Sequence, residues 1–489
     1  MPDRLTYRFG PLERRGIFGA ARGRQIVVMG AGLAACVGIL DIAPTVGGAF
    51  TAMLVAISAA VLAFFPVARR TADEWVPVAC AFLLRGVRGT ARFRSHAPSR
   101  GHRLPGTDVI PHPPRALQGL RILEERYGRR TIGVISDRRG RCMTAVLACR
   151  VLAFALLDPE AQERRLARWG LVLSSAAGTP IRRIQWIERT APAQVDELAR
   201  WVAAERDPAI PLRGTPMVES YLELIGTTAR VSHEHEILMA IQIDARRVRD
   251  RGRAAATSAL IEQTERVAQG LEAAEVRVLG ALSPGQVARA LRTAFDPYAE
   301  AELAALQAAD PEHDGVSESG AWPVGADEKW DHYVSDGALH ATYWIGAWPR
   351  VDVSPMFMDA LLGRSSTVRT VAVTFEAVPP ERSTREVEAA VTRDRADREL
   401  RHRVGQSDTA RRRQAEEATL RREAELAAGH SEVRMAGFVT VSGRTPQDLG
   451  RSCAEVLEHA ARARLELHRM YGQQADAFTF TLPLCRGLR

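Results

Sequence analysis

The residues whose types could do chemistry are scattered along this 489-residue chain. His233, Glu234 and His235 come closest to a site, because side chains two apart on a strand point to one face, as metal ligation could use. Their spacing is not H-E-x-x-H, which places two ligands one helical turn apart. The sequence offers no third ligand close by. Histidines further along the chain are His313, His332 and His340. We interpret the triplet as polar residues at the start of a strand, and predict no metal site.

Cysteine and serine nucleophiles have no better context. No two cysteines form a C-x-x-C pair, which argues for a reducing compartment without a disulfide framework or a zinc site. Cys142 and Cys149 lie in an apolar strand-like stretch without a nearby histidine, and Cys485 stands next to Arg486. There is no G-x-S-x-G nucleophile turn. The other cysteines are Cys36, Cys80 and Cys453.

Phosphate-binding loops are also missing from the sequence. Lys329 is the only lysine in the chain, and it does not follow a glycine-rich turn, so no G-x-x-x-x-G-K-[ST] motif exists. No glycine-rich dinucleotide turn follows a predicted strand either. We therefore predict no catalytic residue, no cofactor and no enzymatic activity. An enzyme with an unrecognised site remains open as an alternative class of protein.

The elements that would position any site predict an α+β fold. Strand-like stretches alternate with amphipathic helices, and residues 234–244 place Ile237, Met239, Ile241 and Ile243 on one face. Short strands with segregated helices predict ferredoxin-like domains, present twice. Predicted strands are residues 131–136, 142–154, 180–188, 234–244, 275–282, 338–348, 368–378 and 433–441, and residues 478–484 close the chain. Predicted helices are residues 159–175, 193–205, 215–228, 255–273, 284–295 and 445–471.

Residues 383–428 are dense in arginine and glutamate and are interrupted near Gly405. We interpret them as a charged antiparallel helical hairpin, with a disordered polar tract as the alternative. The arginine triplet 411–413 is interleaved with glutamates, so a salt-bridged helix surface is a simpler account than a nucleic-acid patch.

Two apolar runs near the N-terminus predict a membrane hairpin. Residues 26–40 make about 22 Å of helix, slightly short for a span, while residues 46–65 are long enough without help. Asp41, Pro44 and Thr45 make a tight connection between them. A cleaved signal peptide and a soluble helical hairpin are the alternatives; the second run and its lack of charge argue against both.

Arginines flank this hairpin at both outer ends. Residues 1–105 hold 14 arginines and five acidic residues, so they carry the surplus of a chain whose net charge is +8. Positive charge at both ends places both termini in the cytoplasm and the short turn outside a plasma (inner) membrane. The arginines that set this orientation are Arg14, Arg15, Arg22, Arg24, Arg69 and Arg70.

The domain organisation follows from these features. Residues 75–84 are uncharged and end before Arg85 and Arg88, which is typical of an interfacial helix or of an ordinary connector. A Pro-, Gly- and His-rich linker follows at 95–114. The predicted layout is a cytosolic N-terminal segment (1–24), the hairpin (25–68), an interfacial helix and linker (69–114), a first α+β domain (115–300) and a second (328–489) with a helical insertion (383–429).

Several stretches resemble conjugative type IV secretion proteins. The opening YRFGPLERRGIFGA before the hairpin resembles PrgI-like small membrane subunits. HATYWIGAWPR (340–350), VRTVAVTFEAVPP (368–380), residues 422–442 and LHRMYGQQADAFTFTLPL (467–484) resemble the N-terminal, non-catalytic domain of the conjugative secretion ATPase. The chain is thus similar to a family of high-GC Gram-positive membrane proteins that fuse the two parts.

That resemblance implies a structural subunit of a conjugative apparatus. It implies a platform for a separate secretion ATPase, membership of a larger membrane complex with other subunits, and an oligomeric assembly. The E subunit of type VII secretion, which also combines two N-terminal helices with a cytosolic α+β domain, is the alternative from the same broad class. A membrane-tethered DNA-binding protein is a third hypothesis, and the near-neutral charge of the soluble part argues against it.

Overall fold

The computed structural model describes most of the chain in two compact units. The described residues are 23–67, 70–95, 113–128, 130–138, 141–151, 157–192, 233–250, 252–299, 316–363, 367–404 and 410–488, with isolated positions 154, 216, 217, 220 and 303. One unit comprises the described residues of Arg92–Glu388 and Leu420–Arg489, and the other comprises the described residues of Gly10–Ala91 and Ala389–Thr419. The predicted linker (95–114) and the predicted helices at 193–205 and 215–228 lie largely or wholly outside the described residues.

The smaller unit holds the apolar helices. It also includes residues 389–404 and 410–419 of two charged helices. Its elements are α1 (Gly23–Ile42), α2 (Val46–Phe64), a two-stranded ribbon of β1 (Pro66–Val67) and β2 (Arg70–Thr71), and α3 (Ala72–Val87). The charged helices are α8 (Pro380–Val404) and α9 (Ala410–Ala427). The remaining residues of each belong to the larger unit. The prediction of two helices on either side of Gly405 is confirmed.

The larger unit is built on one antiparallel sheet, to which thirteen strands of the described chain contribute. They are β3 (Arg92–Arg94), β4 (Leu120–Tyr127), β5 (Arg130–Asp137), β6 (Cys142–Val151), β7 (Ile181–Pro192), β8 (His233–Asp244), β9 (Val276–Ala281), β10 (Gly325–Glu328), β11 (Tyr333–Ser335), β12 (Ala338–Ala347), β13 (Val368–Ala377), β14 (Val433–Gly443) and β15 (Glu466–Arg469).

Helices of the larger unit cover both faces of this sheet. They are α4 (Pro159–Ser175), α5 (Arg253–Ala273), α6 (Pro284–Phe295), α7 (Asp359–Leu362), α10 (Pro446–Arg462) and α11 (Gln474–Phe478), with 3-10 turns at Glu318–Ala321 and Thr479–Thr481. The structure therefore has the mixed α+β character that the sequence predicts, with two N-terminal apolar helices and a large antiparallel sheet.

The strand order repeats within the sheet. In the first half, β6, α4, β7, β8, α5 and β9 follow one another, and the strands lie side by side as β9-β6-β8-β7. In the second half, β12, α7, β13, β14, α10 and β15 lie as β15-β12-β14-β13. The two halves join where β7 pairs antiparallel with β13, with Thr190 opposite Arg369 and Ile184 opposite Phe375. One sheet therefore runs through both predicted α+β domains.

Local sequence signals explain why several helices begin where they do. The Ser283 hydroxyl accepts from the Gln286 amide, and the Gln286 side chain accepts from the Ser283 amide, which is a complete capping box at the start of α6. Asp158 caps α4, and Thr445 caps α10, each directly before a proline at the first helical position. The sequence predicted the start of each of these three helices to within one residue.

Three clusters of buried apolar side chains hold the larger unit together. On one face, α4 and α5 pack on residues such as Met239, Ile241 and Ile243, and α10 packs on Val439 and Val441. On the other face, α6 and the C-terminal residues pack against the sheet. Central strands are therefore buried on both sides, as their near-continuous apolar sequences require.

The C-terminal segment lies on the sheet without joining it as a strand. Residues 478–484 form the end of α11, a 3-10 turn and an extended tail that crosses the sheet face. Their backbone is paired with side chains rather than with a strand. Gln185 Nε2 donates to the Phe480 carbonyl (2.8 Å), Gln242 Nε2 to the Leu484 carbonyl (3.0 Å), and Arg183 Nη2 to the Leu488 carbonyl (2.8 Å).

Five strands of the sheet were not predicted from the sequence, namely β3, β4, β10, β11 and β15, and two of them show why. The helix predicted at 445–471 ends at Arg462, because Arg464 takes a positive φ of 57° and turns the chain into β15. Strand β4 (Leu120–Tyr127) lacks the apolar alternation of a half-buried strand, since LRILEERY mixes both kinds of residue. Neighbouring strands, rather than local pattern, place these two segments in the sheet.

Candidate functional site

The two apolar helices form a closed antiparallel hairpin. Pro44 ends α1, and the Thr45 hydroxyl accepts from the Gly48 amide at 3.1 Å to cap α2. Gly48 is required in this turn, because a Cβ there would come within 1.9 Å of the Ala43 carbonyl oxygen. The connection is therefore fixed in geometry and satisfies its own backbone groups.

Small residues let the two helices approach closely. The buried residues of α2 are Gly48, Ala52, Ala59 and Ala63, spaced at about one or two helical turns. A Cβ on Gly32 would lie 2.6 Å from the Cβ of Ala59. Close packing of small residues is how helices associate in lipid, where apolar burial supplies no driving force.

Polar groups on the hairpin are paired between the helices. Gln25, which is buried, donates through Nε2 to the Ala63 carbonyl at 2.7 Å, and Cys36 Sγ donates to the Ala52 carbonyl at 3.1 Å. An unpaired polar group in hydrocarbon is costly, so these contacts suit an environment without water.

The outer surface of the hairpin is apolar and uncovered. The windows Gln25–Ile42 and Val46–Phe64 are only 17% and 22% buried, whereas a core helix of a soluble protein is mostly buried. The large apolar side chains that face outward include Val27, Leu33, Val37, Phe50, Leu54, Ile57 and Phe64. Both helices are long and apolar enough to cross a membrane, so the chain has two candidate N-terminal spans.

The flanking arginines stay a prediction. Arg14, Arg15, Arg22 and Arg69 lie outside the described residues. Arg24 and Arg70 are described only as backbone, in α1 and β2. The structure thus places the hairpin but does not test the orientation that these six arginines predict.

The histidine triplet lies on β8, as the sequence predicts. His235 Nδ1 is 3.2 Å from Glu188 Oε1 and 3.4 Å from the Thr190 hydroxyl on the neighbouring strand β7. Among the described residues, no group of three histidine, cysteine or acidic side chains could hold a metal ion. His235, whose side chain is partly exposed, therefore belongs to a polar cluster with Glu188 rather than to a set of candidate ligands.

This cluster, formed by Glu188, His235 and Arg369, lies where the two halves of the sheet join. Arg369 is among the largest fully buried side chains and donates through Nη2 to the Gly363 carbonyl at 2.7 Å. Burial raises the pKa of Glu188 to about 7, and Arg369 opposes that rise. Burial, with the positive charge of Arg369, lowers the pKa of His235. No signal in the sequence pointed to Arg369, because only the pairing of β7 with β13 brings it to Glu188.

His340 occupies a second buried polar cluster, on β12. Its Nε2 is 3.0 Å from the Phe295 carbonyl, an obligate acceptor, so this nitrogen carries the proton. The Ser442 hydroxyl then donates to Nδ1 at 2.8 Å. Burial lowers the pKa of His340 to about 4. This residue is a satisfied core histidine, which the sequence could not distinguish from a candidate ligand.

Four of the six cysteines are inert by environment. Cys142, Cys149, Cys453 and Cys485 are buried, and burial raises the pKa of each thiol, that of Cys149 to about 12. A thiol with a raised pKa is a poor nucleophile and metal ligand. None of these four has the electropositive, accessible setting of a reactive cysteine.

Acid should destabilise the larger unit through His340. Because its pKa falls from 6.5 unfolded to about 4 folded, the unfolded chain binds a proton first, and stability drops as pH falls from 6.5 to 4. The loss is about 3 kcal/mol over that range. Urea unfolding of the detergent-solubilised protein measures it as a difference: between pH 6.5 and 4 the wild type should lose about 3 kcal/mol more stability than His340→Gln. Glu188, whose pKa is raised to about 7, adds the same slope of opposite sign to both proteins and cancels in this comparison. An unchanged slope in the variant would contradict this account of His340.

Fold and site together define a class: a membrane-associated α+β protein with an apolar N-terminal hairpin and no recognisable catalytic centre in its described residues. A family model adds a specific match. Residues 239–345 match the family described as the type VII ESX secretion system translocon, EccE. No curated protein matches the chain.

The match covers about a fifth of the chain, from β8 to β12. It contains α5, α6 and the strands that lead into the second half of the sheet. The matched family is a component of a secretion translocon and not an enzyme family, which confirms the prediction that the protein is non-catalytic.

The match overturns the predicted relationship to type IV secretion. The resemblance to PrgI-like subunits and to the conjugative ATPase domain was wrong, and so was the function drawn from it. Part of the stretch 340–350, on which that resemblance relied, lies inside the segment that matches the type VII family. The shared pattern was that of sheet strands, which many α+β proteins have, and it contained no catalytic residue that could discriminate between families.

Proposed function

We propose that this protein is a membrane-anchored, non-catalytic subunit of a type VII (ESX) secretion complex. The observation that carries the proposal is the family match at residues 239–345, which falls on contiguous elements of the sheet rather than on an isolated loop. The apolar hairpin supports it independently, since a translocon component must be held at a membrane.

In this proposal α1 and α2 cross the plasma membrane, and both termini lie in the cytoplasm. The six flanking arginines support that orientation through the preference of cationic residues for the cytoplasmic side. The sheet unit is then cytosolic, consistent with its reduced, buried cysteines.

We also propose that the sheet is a duplication of a ferredoxin-like unit, with copies in residues 115–300 and 328–489. The repeated orders β9-β6-β8-β7 and β15-β12-β14-β13 support this. When the four strands of each copy are numbered along the chain, the fourth strand lies beside the first in both copies, and the third lies beside the second. The charged helices α8 and α9 are then an insertion in the chain between β13 and β14, the second and third strands of the second copy.

The partners that we propose are the other membrane subunits of the same complex and its secretion ATPase. The chain has no phosphate-binding loop of its own, so nucleotide hydrolysis belongs to another subunit. The salt-bridged helices, with pairs such as Arg398–Glu416 and Arg403–Glu399, offer a polar surface of mixed charge for such contacts.

An export assay tests this function. Deleting the gene should abolish release of type VII substrates into the culture medium, and the full chain supplied in trans should restore it. A version without residues 23–65 should fail to restore export although its sheet unit is intact. Normal export in the deletion strain would overturn the proposal.

A further inference from the structure

Helix α3 carries an exposed apolar stripe that no described residue of its unit covers. The stripe consists of Val76, Cys80, Leu83, Leu84 and Val87. Their spacing of three and four residues places them on one side of the helix. Leu83 is 64% exposed and Val87 is 88% exposed. Large apolar side chains aligned in this way are unfavourable in water, so the stripe requires an apolar covering.

The opposite side of α3 is already occupied. Val78 is buried, Trp75, Ala79 and Phe82 are partly buried, and the helix contacts α1 and α2. Helix α3 therefore belongs to the same packed body as the hairpin, whose outward apolar surface is also uncovered. Phe64 and Phe65, at the end of α2, are exposed on that surface as well.

The length and position of α3 decide how it can meet a bilayer. It starts at Ala72, only a short ribbon after α2, so it begins where the chain leaves the membrane. Its 16 residues make about 24 Å of helix, which is too short to cross the hydrocarbon comfortably. Arg85 and Arg88 lie at its C-terminal end, where long cationic side chains can reach lipid phosphates.

We infer that α3 is an interfacial helix that lies in the cytosolic leaflet, with its stripe among the lipid chains just below the headgroups. The occupant of the stripe is lipid, because α3 packs on the hairpin and begins directly after the short ribbon that follows α2. The inference rests on the membrane placement of α1 and α2 in the proposed function. A second protein subunit covering the stripe is the competing outcome.

Cys80, in the middle of the stripe, makes the test direct. In a Cys36→Ala background the other four cysteines are buried, so a nitroxide label attaches at Cys80. The labelled full-length protein is reconstituted alone into phosphatidylcholine–phosphatidylglycerol vesicles. Electron paramagnetic resonance then compares accessibility to oxygen, which concentrates in lipid, with accessibility to a water-soluble nickel chelate. Reference labels at Ile57→Cys in the hairpin and Glu458→Cys on α10 are made with Cys80→Ala.

The inference predicts that the label on Cys80 lies about 5–10 Å deep in the boundary between the headgroups and the acyl chains. Nickel accessibility should be several-fold lower than at Glu458→Cys, and oxygen accessibility should be between those of the two references. Leu83→Glu with Leu84→Glu should move the label into water, because these side chains are exposed and do not hold the helix on the hairpin.

Two results would overturn the inference, and they differ in what else they affect. If the Cys80 label is as accessible to nickel as Glu458→Cys while Ile57→Cys is in lipid, α3 is not interfacial but the anchor stands. If Ile57→Cys is also in water, the hairpin does not span the membrane, and the anchor in the proposed function fails with it.

Discussion

Replacing Leu54 and Ile57 with arginine should release the protein from the membrane. Both side chains lie near the middle of α2 and face outward, so the change leaves the packing of α1 on α2 intact. Each arginine at the centre of a span costs about 2.5–3.5 kcal/mol, and the pair costs about 6 kcal/mol. The measurement is the fraction of protein that stays in the membrane pellet after an alkaline carbonate wash.

The matched control places arginine at exposed leucines of the sheet unit. Leu279 on β9 and Leu457 on α10 are exposed to a similar degree, and their replacement should leave the pelleted fraction unchanged. If the α2 variant pellets like the wild type, the outward face of the hairpin does not contact lipid, and the two helices are not membrane spans.

Removal of the C-terminal residues 482–489 should prevent the sheet unit from folding. Leu482, Leu484 and Cys485 are almost wholly buried in the core cluster that α6 also joins. Burying each leucine contributes about 1.5–3 kcal/mol. The deletion also leaves the side-chain Oε1 of Gln185 without the Cys485 amide (2.7 Å) and Gln242 Nε2 without the Leu484 carbonyl, at about 1–3 kcal/mol each.

Together these losses are comparable with the whole stability of a domain, about 5–15 kcal/mol. Limited proteolysis of the full-length and shortened proteins measures the outcome: the wild-type sheet unit should persist as a resistant fragment, and the shortened one should be degraded. Leu457→Ala, on an exposed face, should digest like the wild type. Equal resistance of the shortened protein would show that the tail does not hold the sheet together.

The sequence predicts the fold best where local signals agree with tertiary structure. The hairpin is predictable because a long uncharged apolar run has few alternatives. Helix α6 is predictable because Ser283, Pro284 and Gln286 form a capping pattern. The C-terminal tail is not predictable, because its alternating pattern imitates a strand while its hydrogen bonds go to Gln185, Gln242 and Arg183, which lie about 250–300 residues away.

In the candidate site, too, features set by local sequence are predictable and features set by long-range contacts are not. His340 and Arg369 are polar residues in apolar strands, and the sequence gives no reason to expect them to be buried. Their hydrogen-bond partners, Phe295 and Ser442 for one and Gly363 for the other, are set by strand register and helix packing. Predictions from charge near the hairpin needed no such long-range information, since orientation depends on which arginines flank a span.

The comparison with protein families also depends on the difference between local patterns and the order of elements along the chain. Strand patterns such as HATYWIGAWPR follow from burial on both faces of a sheet, so they occur in unrelated secretion proteins and could not separate type IV from type VII systems. The match at residues 239–345 uses helices, turns and strands in their order along the chain, which carries more information than single stretches.

Affinity purification of the tagged full-length protein from detergent-solubilised membranes of its native cell tests the central claim most directly. Mass spectrometry identifies the proteins that come down with it, and the Leu54→Arg, Ile57→Arg variant serves as the unanchored control. Our account predicts that the other membrane subunits and the ATPase of a type VII secretion complex co-purify with the wild type and are lost from the control. Co-purification of conjugation proteins instead, or of no secretion subunit at all, would contradict it.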